Sequence, residues 1–352
     1  MADTKIKRNT TVDVLRGIAM LLVVLGHTMT GCTEGSQDSF LFQVIWSLQM
    51  PLFILISGYV TRYSKTINTI SDLGKILWKR TAAYLIPWCF WSFLVRGLIF
   101  QQSNYLNIKW LLWHMDSGYW FLFALWTIVV IFSISHFIAN KMCKENIKAA
   151  FLIKTIAYIC GMGVLVGIGI VFGMAFLAIK LTLYYMPFYY AGHIYGVVQD
   201  KILALTKGRC AIKIISALCL AFWLVIITRV NLYYSEDGGM ALIIRAIASI
   251  LGCVAICSLI GSNDYSSNND FLKPKIVFRS FFIWSGNNSL QIYLLHGFFL
   301  NLLTMQNKPM FSNAEGIVLV SLNYLATLSL LWVVINLLKN NGALLRILFW
   351  KK

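Results

Sequence analysis

Long apolar stretches recur along the whole chain, and each is followed by a short segment that carries charge. A stretch of about 18 or more apolar residues predicts a helix that spans a bilayer, because it is too long to serve as one element of a soluble core. Such stretches make up most of the 352 residues, which are 59% hydrophobic and 12% charged. An ordinary soluble domain has about 25% charged residues. The sequence therefore predicts an all-α, polytopic integral membrane protein.

Ten transmembrane helices are predicted, with edges that are accurate to a few residues. They lie at about 12–31, 42–60, 82–101, 118–139, 155–174, 182–199, 212–230, 240–260, 284–304 and 315–337. We expect one membrane-embedded domain over 1–352, with short tails at about 1–11 and 338–352. The first apolar segment has no cleavage pattern after it, so we interpret it as a retained helix and not as a signal peptide.

Most of the Lys and Arg residues, Lys154 among them, fall in alternate loops. The opposite loops hold only Lys109, Lys180, Arg229 and Lys308. Because basic loops stay in the cytoplasm, this asymmetry predicts that both termini are cytoplasmic, as an even number of helices requires. The net charge of +17 is thereby explained by topology and membrane lipids, and nucleic acid is not an expected partner.

The eight cysteines form no Cys-x-x-Cys pair, and most lie inside apolar segments. This distribution argues against a disulfide framework and against a structural zinc site. No cluster of metal-ligating residue types occurs at a suitable spacing, so no metal site is predicted.

The first helix, TVDVLRGIAMLLVVLGHT, contains three ionisable residues, Asp13, Arg16 and His27. Arg16 and His27 are eleven residues apart, close to three full turns, which places them on one face and about 16 Å apart along the axis. Each has a structural alternative. Arg16 could reach lipid phosphates, Asp13 could cap the helix, and His27 could bond a neighbouring helix. Because ionisable groups are costly inside a membrane, the set as a whole favours a functional polar path.

The segment VDVLRGIAMLLVVLGH resembles the first-helix motif of the acyltransferase-3 family, membrane enzymes that acylate cell-surface glycans. Other segments resemble later motifs of that family in the same order, so the likeness covers nearly the whole chain. These are MPLFILISGY at 50–59, WKRTAAYLIPWCFWS at 78–92, GYWFLFALW at 118–126 and GNNSLQIYLLHGF at 286–298. The resemblance implies an acyl donor in the form of acyl-CoA, usually acetyl-CoA, and essential roles for Arg16 and His27.

Those roles agree with the chemistry of acyl transfer to a hydroxyl. Histidine is the side chain that changes protonation near neutral pH, so His27 is suited to act as general base. Arg16 stays charged and is suited to the phosphates of CoA. We expect Asp13 to orient Arg16 or to cap the helix.

Lys79 and Arg80 precede the third predicted helix, where the family often has two arginines. Arg80 matches the first position, but Ala83 stands at the second, so the resemblance does not extend to a two-arginine clamp on CoA. Lys79 and Arg80 remain candidates for binding acetyl-CoA, although topology alone would also explain them.

Four further residues are substrate or pore candidates. Tyr119 and Trp120 open the fourth predicted helix, where their rings could stack on a sugar or anchor the helix at the membrane surface. Asn288 and His296 place polar groups along the ninth, where contact with lipid would be costly.

The sequence thus predicts an O-acyltransferase that moves an acyl group, most simply acetyl, from acetyl-CoA to a hydroxyl of a surface polysaccharide or lipid-linked oligosaccharide. We expect a bacterial plasma-membrane enzyme with acetyl-CoA as co-substrate and no permanently bound cofactor. Both direct transfer and an acyl-enzyme on His27 remain open. The alternative is a transporter of a glycan or lipid-linked sugar, in which Arg16 and His27 line a path without acyl chemistry.

Overall fold

A computed structural model describes residues 9–143, 146–204, 208–233, 239–263 and 273–350. These residues form α-helices joined by short turns, with one isolated bridge between Glu34 and Met310. Residues 1–8 and 351–352 of the two predicted tails lie outside the described residues. The helices are α1 (Thr10–Cys32), α2 (Phe40–Tyr59), α3 (Ile70–Cys89), α4 (Ile108–Trp113), α5 (Trp120–Met142), α6 (Ile147–Phe172), α7 (Ile179–Ala204), α8 (Gly208–Arg229), α9 (Gly239–Asn263), α10 (Lys273–Asn287), α11 (Ser289–Phe299), α12 (Ala314–Lys339) and α13 (Gly342–Phe349).

Every predicted segment is mostly helical, so the all-α prediction is confirmed. Within the described part of the chain, eight helices are long and apolar enough to cross a membrane: α1, α2, α3 with its π-helical extension, α5, α6, α8, α9 and α12. The other two predicted spans correspond to α7 and to the pair α10 and α11. The chain is a multi-pass membrane protein, and its membrane orientation remains a prediction.

Three boundaries differ from the predictions. The third segment begins at Ile70, where Thr69 and Asp72 form a capping box, and beyond Pro87 it continues as a π-helix over Phe90–Ile99. The ninth predicted segment is not one helix, because the helix is interrupted at Asn288 and α11 ends at Phe299. The C-terminal tail contains α13, which begins at its cap Asn341.

Contacts divide the chain into two compact units. The first unit comprises residues 1–60 and 191–336, and the second comprises 61–190 and 337–352.

In the first unit, α1 packs against α2 and α10, while α2 also packs against α8 and α9. Its main apolar core includes Ala19 of α1, Leu52 of α2, Trp223 of α8 and Cys253 of α9. The indole nitrogen of Trp223 donates to the hydroxyl of Ser47, 3.1 Å away. This pairing satisfies a polar group that the core would otherwise isolate.

In the second unit, α5 packs between α3 and α6, and α13 lies against α3. Trp91, in the π-helix that continues α3, contacts α13. Its indole nitrogen donates to the carbonyl of Leu348 at 2.9 Å, and its ring stacks on Phe349 at 5.8 Å. Phe349 is buried. The predicted tail is therefore part of this unit's packing.

Candidate active site

The N-terminal half of α1 touches α10 backbone to backbone. A Cβ atom at Gly17 would collide with the carbonyl oxygen of Phe282, and one at Gly286 would collide with the carbonyl oxygen of Asp13. Only glycine at both positions allows this approach. The contact fixes the turn of α1 that carries Asp13, which is buried, and Arg16, which is partly buried.

The same end of α1 is closed by side-chain caps. Asn9 accepts hydrogen bonds from the backbone nitrogens of Thr11 and Val12, and the Arg279 guanidinium of α10 donates to the Thr10 hydroxyl at 2.9 Å. Asn9 thus satisfies the first amides of α1, so Asp13 is not needed as the N-cap. Of its two predicted roles, orienting Arg16 is the one that these contacts leave open.

At the other end of α1, His27 meets His296 of α11. The two ring centroids are 5.3 Å apart with the planes inclined by 36°. The His27 side chain is exposed, although its neighbours Gly26 and Thr28 are buried. Two predicted site residues that are far apart in the sequence are therefore adjacent in the structure.

His296 is held in one tautomer. It is buried, and its Nδ1 lies 3.0 Å from the carbonyl oxygen of Ile292. A carbonyl oxygen can only accept, so in the neutral ring Nδ1 carries the proton and Nε2 is the acceptor. The lone pair of the neutral His296 ring is therefore on Nε2.

Asn288 marks the break between α10 and α11. It is 1% exposed, and its side-chain amide donates to the carbonyl oxygen of Trp284 at 2.7 Å. This contact closes the last turn of α10 and accounts for the buried amide structurally. A role in lining a polar path remains a prediction.

In the second unit, the predicted donor-binding residues lie on α3. Lys79 is exposed, whereas Arg80 is partly buried and interacts electrostatically with Tyr189 of α7. Ala83, which replaces the family's second arginine, is partly buried on the same helix.

Two more basic residues lie in that neighbourhood. Phe132 of α5 packs edge-on against Tyr189 at 5.3 Å and stacks on His136 at 6.1 Å, and the Lys154 ammonium lies 6.0 Å from the centre of the Phe132 ring. Lys154 and His136 also interact electrostatically. We call Arg80, His136 and Lys154 the basic cluster.

Lys154 was expected in a loop, and that expectation is wrong. Asn146 caps α6, so the helix begins at Ile147 and places Lys154 two turns inside it, where its side chain is 7% exposed. The signal was present in the sequence, because Lys154 is flanked on both sides by apolar residues.

Tyr119 and Trp120 make different contacts within the second unit. Trp120 stacks on Tyr185 at 5.6 Å with nearly parallel rings. Tyr119 is buried and lies against Arg96, whose guanidinium carbon is 4.8 Å from the ring centre. Arg96 was not among the candidates from the sequence, although an arginine among several aromatic residues of the same segment was a usable signal.

The first unit thus contains Asp13, Arg16, His27, Asn288 and His296. The second contains Lys79, Arg80, Tyr119 and Trp120. Within the first, the structure pairs His27 with His296 directly. Within the second, it adds His136, Lys154 and Arg96 to the predicted set.

Residues 9–338 match the model of the acyltransferase-3 family, described as an acyltransferase domain. The chain belongs to this family. The match runs through both structural units and confirms the assignment that the five motifs indicated.

Two curated relatives carry the name nodulation protein NolL. The protein of Sinorhizobium fredii is 30% identical over 131 residues, which is 32% of this chain and 35% of the relative. That of Mesorhizobium japonicum is 27% identical over 127 residues, 33% of each. The chain therefore spans about a third of the length of these relatives. No solved structure matches.

Proposed function

We propose that this protein is an O-acyltransferase that moves an acetyl group from acetyl-CoA to a hydroxyl of a surface polysaccharide, or of its lipid-linked precursor, in a bacterial plasma membrane. Membership of the acyltransferase-3 family supports the reaction class. The observation that carries the proposal is the His27–His296 pair, which places an exposed imidazole beside a second imidazole of defined tautomer.

In the proposed reaction, His27 accepts the proton of the acceptor hydroxyl while the hydroxyl oxygen attacks the thioester carbonyl. The tetrahedral oxyanion then collapses, the carbon–sulfur bond breaks, and the proton on His27 passes to the departing CoA thiolate. The products are the acetyl ester and free CoA. General base catalysis of this kind contributes about 10²–10⁴-fold in rate.

His296 acts in this scheme as a positioning residue. Its Nε2 can accept the N–H of the His27 ring, which would leave the other nitrogen of His27 as the base. While Nδ1 donates to the Ile292 carbonyl, a neutral His296 ring has an acceptor at Nε2 and not a donor.

Arg16 is assigned to the donor phosphates and not to the oxyanion. Its position about 16 Å from His27 along one helix face is too distant for contact with the reacting carbonyl. CoA is long, with its phosphates far from its thioester, so one molecule can meet a cation at one end and a base at the other. Arg80 and Lys154 of the second unit are further candidates for binding phosphates of acetyl-CoA.

The transporter alternative predicts a different phenotype. A transporter would change the amount of glycan on the surface, whereas the proposed enzyme changes only its acetyl content. Family membership favours acyl chemistry.

The test is complementation of a deletion strain with wild-type protein, His27→Ala or Ser57→Ala, at equal protein levels in the membrane. Ser57 is the control, because its hydroxyl donates to the carbonyl of Phe53 at 2.9 Å and has no proposed role. We expect acetyl signals in the NMR spectrum of the glycan for wild type and Ser57→Ala, and none for His27→Ala. Full acetylation with His27→Ala would refute the proposal.

A second experiment separates direct transfer from an acyl-enzyme. Purified protein is incubated with radiolabelled acetyl-CoA without acceptor and then denatured. Direct transfer predicts no label on the chain, whereas stoichiometric label that His27→Ala removes would establish an acyl-enzyme.

A further inference from the structure

Arg96 lies in the second unit, outside the chemistry proposed above, three residues before the end of the π-helix. The chain reverses there, with Gln101 in the left-handed region, and the short helical turn Ser103–Leu106 folds back onto the π-helix. Gly97 makes this possible, since a Cβ there would collide with Leu106. The fold thereby brings Tyr105 onto Arg96.

The guanidinium of Arg96 lies against two buried tyrosines. Its Nη1 donates to the Tyr105 hydroxyl at 2.6 Å, and its carbon lies 5.2 Å and 4.8 Å from the ring centres of Tyr105 and Tyr119. Both tyrosines are nearly fully buried. An arginine that merely reached for lipid headgroups would extend away from such partners.

The charge of Arg96 is not neutralised by the groups around it. Among the described residues, its polar partners are the Tyr105 and Tyr119 phenols, which are neutral near pH 7, and no carboxylate is among them. A guanidinium has five N–H donors, so some remain available after hydrogen bonds to the phenols of Tyr105 and Tyr119. The side chain is also partly exposed, which leaves it accessible.

Aromatic side chains surround this charge. Trp110 packs edge-on against Tyr105 at 5.5 Å, and the exposed His114 ring stacks on Trp110 at 4.8 Å with the planes almost parallel. A few fixed polar donors among aromatic rings are typical of sites that bind small ligands. A positive charge in a region of low dielectric also attracts anions more strongly than one in water.

We propose that Arg96, which lies against Tyr105 and Tyr119 with Trp110 and His114 packed beyond Tyr105, binds an oxyanion carried by a sugar of the acceptor. The proposal rests on the function proposed above and narrows its acceptor to an anionic glycan or glycosyl phosphate. A planar, bidentate guanidinium matches both a carboxylate and a phosphate. Arg96 is thus a specificity-determining residue and has no part in the acyl transfer step.

The test measures binding of defined probes to the full-length protein in phospholipid nanodiscs by tryptophan fluorescence. The probes are trigalacturonate, glucose 1-phosphate and the neutral trisaccharide maltotriose. In wild type we expect at least one anionic probe to bind about tenfold more tightly than maltotriose, which corresponds to about 1.4 kcal/mol. The preferred probe identifies the oxyanion as carboxylate or phosphate.

Two variants attribute that preference to Arg96. Arg96→Gln should abolish it. Arg96→Lys keeps the positive charge, so it serves as the second variant if Arg96→Gln does not fold. Because lysine lacks the planar guanidinium, Arg96→Lys should reduce the preference for the anionic probe severalfold. Equal binding of anionic and neutral probes by wild type, or an undiminished preference in folded Arg96→Gln, would overturn the proposal. A mere contact between Arg96 and lipid phosphate gives that same negative result.

His27→Ala separates this inference from the proposed function. It should lose acetyl transfer and retain the preference for the anionic probe. If His27→Ala retains transfer while Arg96→Gln loses the preference, the base assignment fails and the binding site stands.

Discussion

The candidate site residues of the two units are placed in different ways. In the first, helices approach through glycines until backbones touch, and two imidazoles face each other at 5.3 Å. In the second, cations lie against aromatic rings, as Lys154 does beside Phe132 and Arg96 beside Tyr119. The first arrangement fixes the positions of the two imidazoles, to which we assign the proposed proton transfer. The second holds positive charge beside aromatic rings, where we propose that phosphates and anionic sugars bind.

The first unit depends on close packing between the backbones of α1 and α10. Gly286→Ala would place a Cβ against the Asp13 carbonyl, and backbone cannot yield as a side chain can. We expect Gly286→Ala to lower the free energy of unfolding by more than the roughly 1–3 kcal/mol that ordinary overpacking costs. The measurement is a lowered Tm or the loss of monodisperse protein.

The matched control is Gly163→Ala in α6 of the second unit, where a Cβ meets nothing within 4 Å. It should be neutral or slightly stabilising, because alanine favours helix over glycine. Similar Tm values for the two variants would show that the α1–α10 contact is not a structural requirement.

The histidine pair predicts an effect on the rate of the chemical step. His296→Gln replaces the imidazole beside His27 with a more flexible amide, and we expect kcat to fall about 10–100-fold while KM for acetyl-CoA changes little. His193→Gln, which replaces another buried histidine of the same unit, should leave kcat near the wild-type value. Comparable kcat values for both variants and wild type would exclude a positioning role.

Removing a cation of the basic cluster should weaken binding of acetyl-CoA without slowing the chemical step. Lys154→Gln should raise KM for acetyl-CoA about tenfold, or about 1.4 kcal/mol, and leave kcat within about twofold. With acetyl-pantetheine, which lacks the nucleotide phosphates, wild type and variant should behave alike.

Lys148→Gln on the same helix is its control, since Lys148 is exposed. If Lys154→Gln lowers kcat with both donors, the assignment of Lys154 to the phosphates of acetyl-CoA is wrong.

The sequence was sufficient for the family and for the helical segments, because apolar length and motif order are local properties of a chain. It was less reliable at helix ends. Lys154 was misplaced because an apolar stretch ends at a charge, whereas the helix itself begins earlier at its cap, Asn146. The break at Asn288 was missed because GNNSLQ contains no proline to signal it.

Pairings between distant residues were not predictable from one sequence. His27 and His296 were separate candidates, and only the crossing of helices in the first unit makes them neighbours. Arg96 received no role, since nothing local shows that the chain turns back at Gln101 to bring Tyr105 onto it. The residue types were visible in both cases, but their contacts depend on tertiary packing.

The glycine contact between α1 and α10 also makes α1 a lever. The helix is pinned near Gly17, and His27 lies about 15 Å further along the same rigid rod. A tilt of about 5° at the pinned end would swing the His27 ring by about 1.3 Å, more than the roughly 0.5 Å that a catalytic group tolerates. A change that tilts the N-terminal end of α1, such as the proposed binding of a phosphate to Arg16, would therefore change the position of the His27 ring.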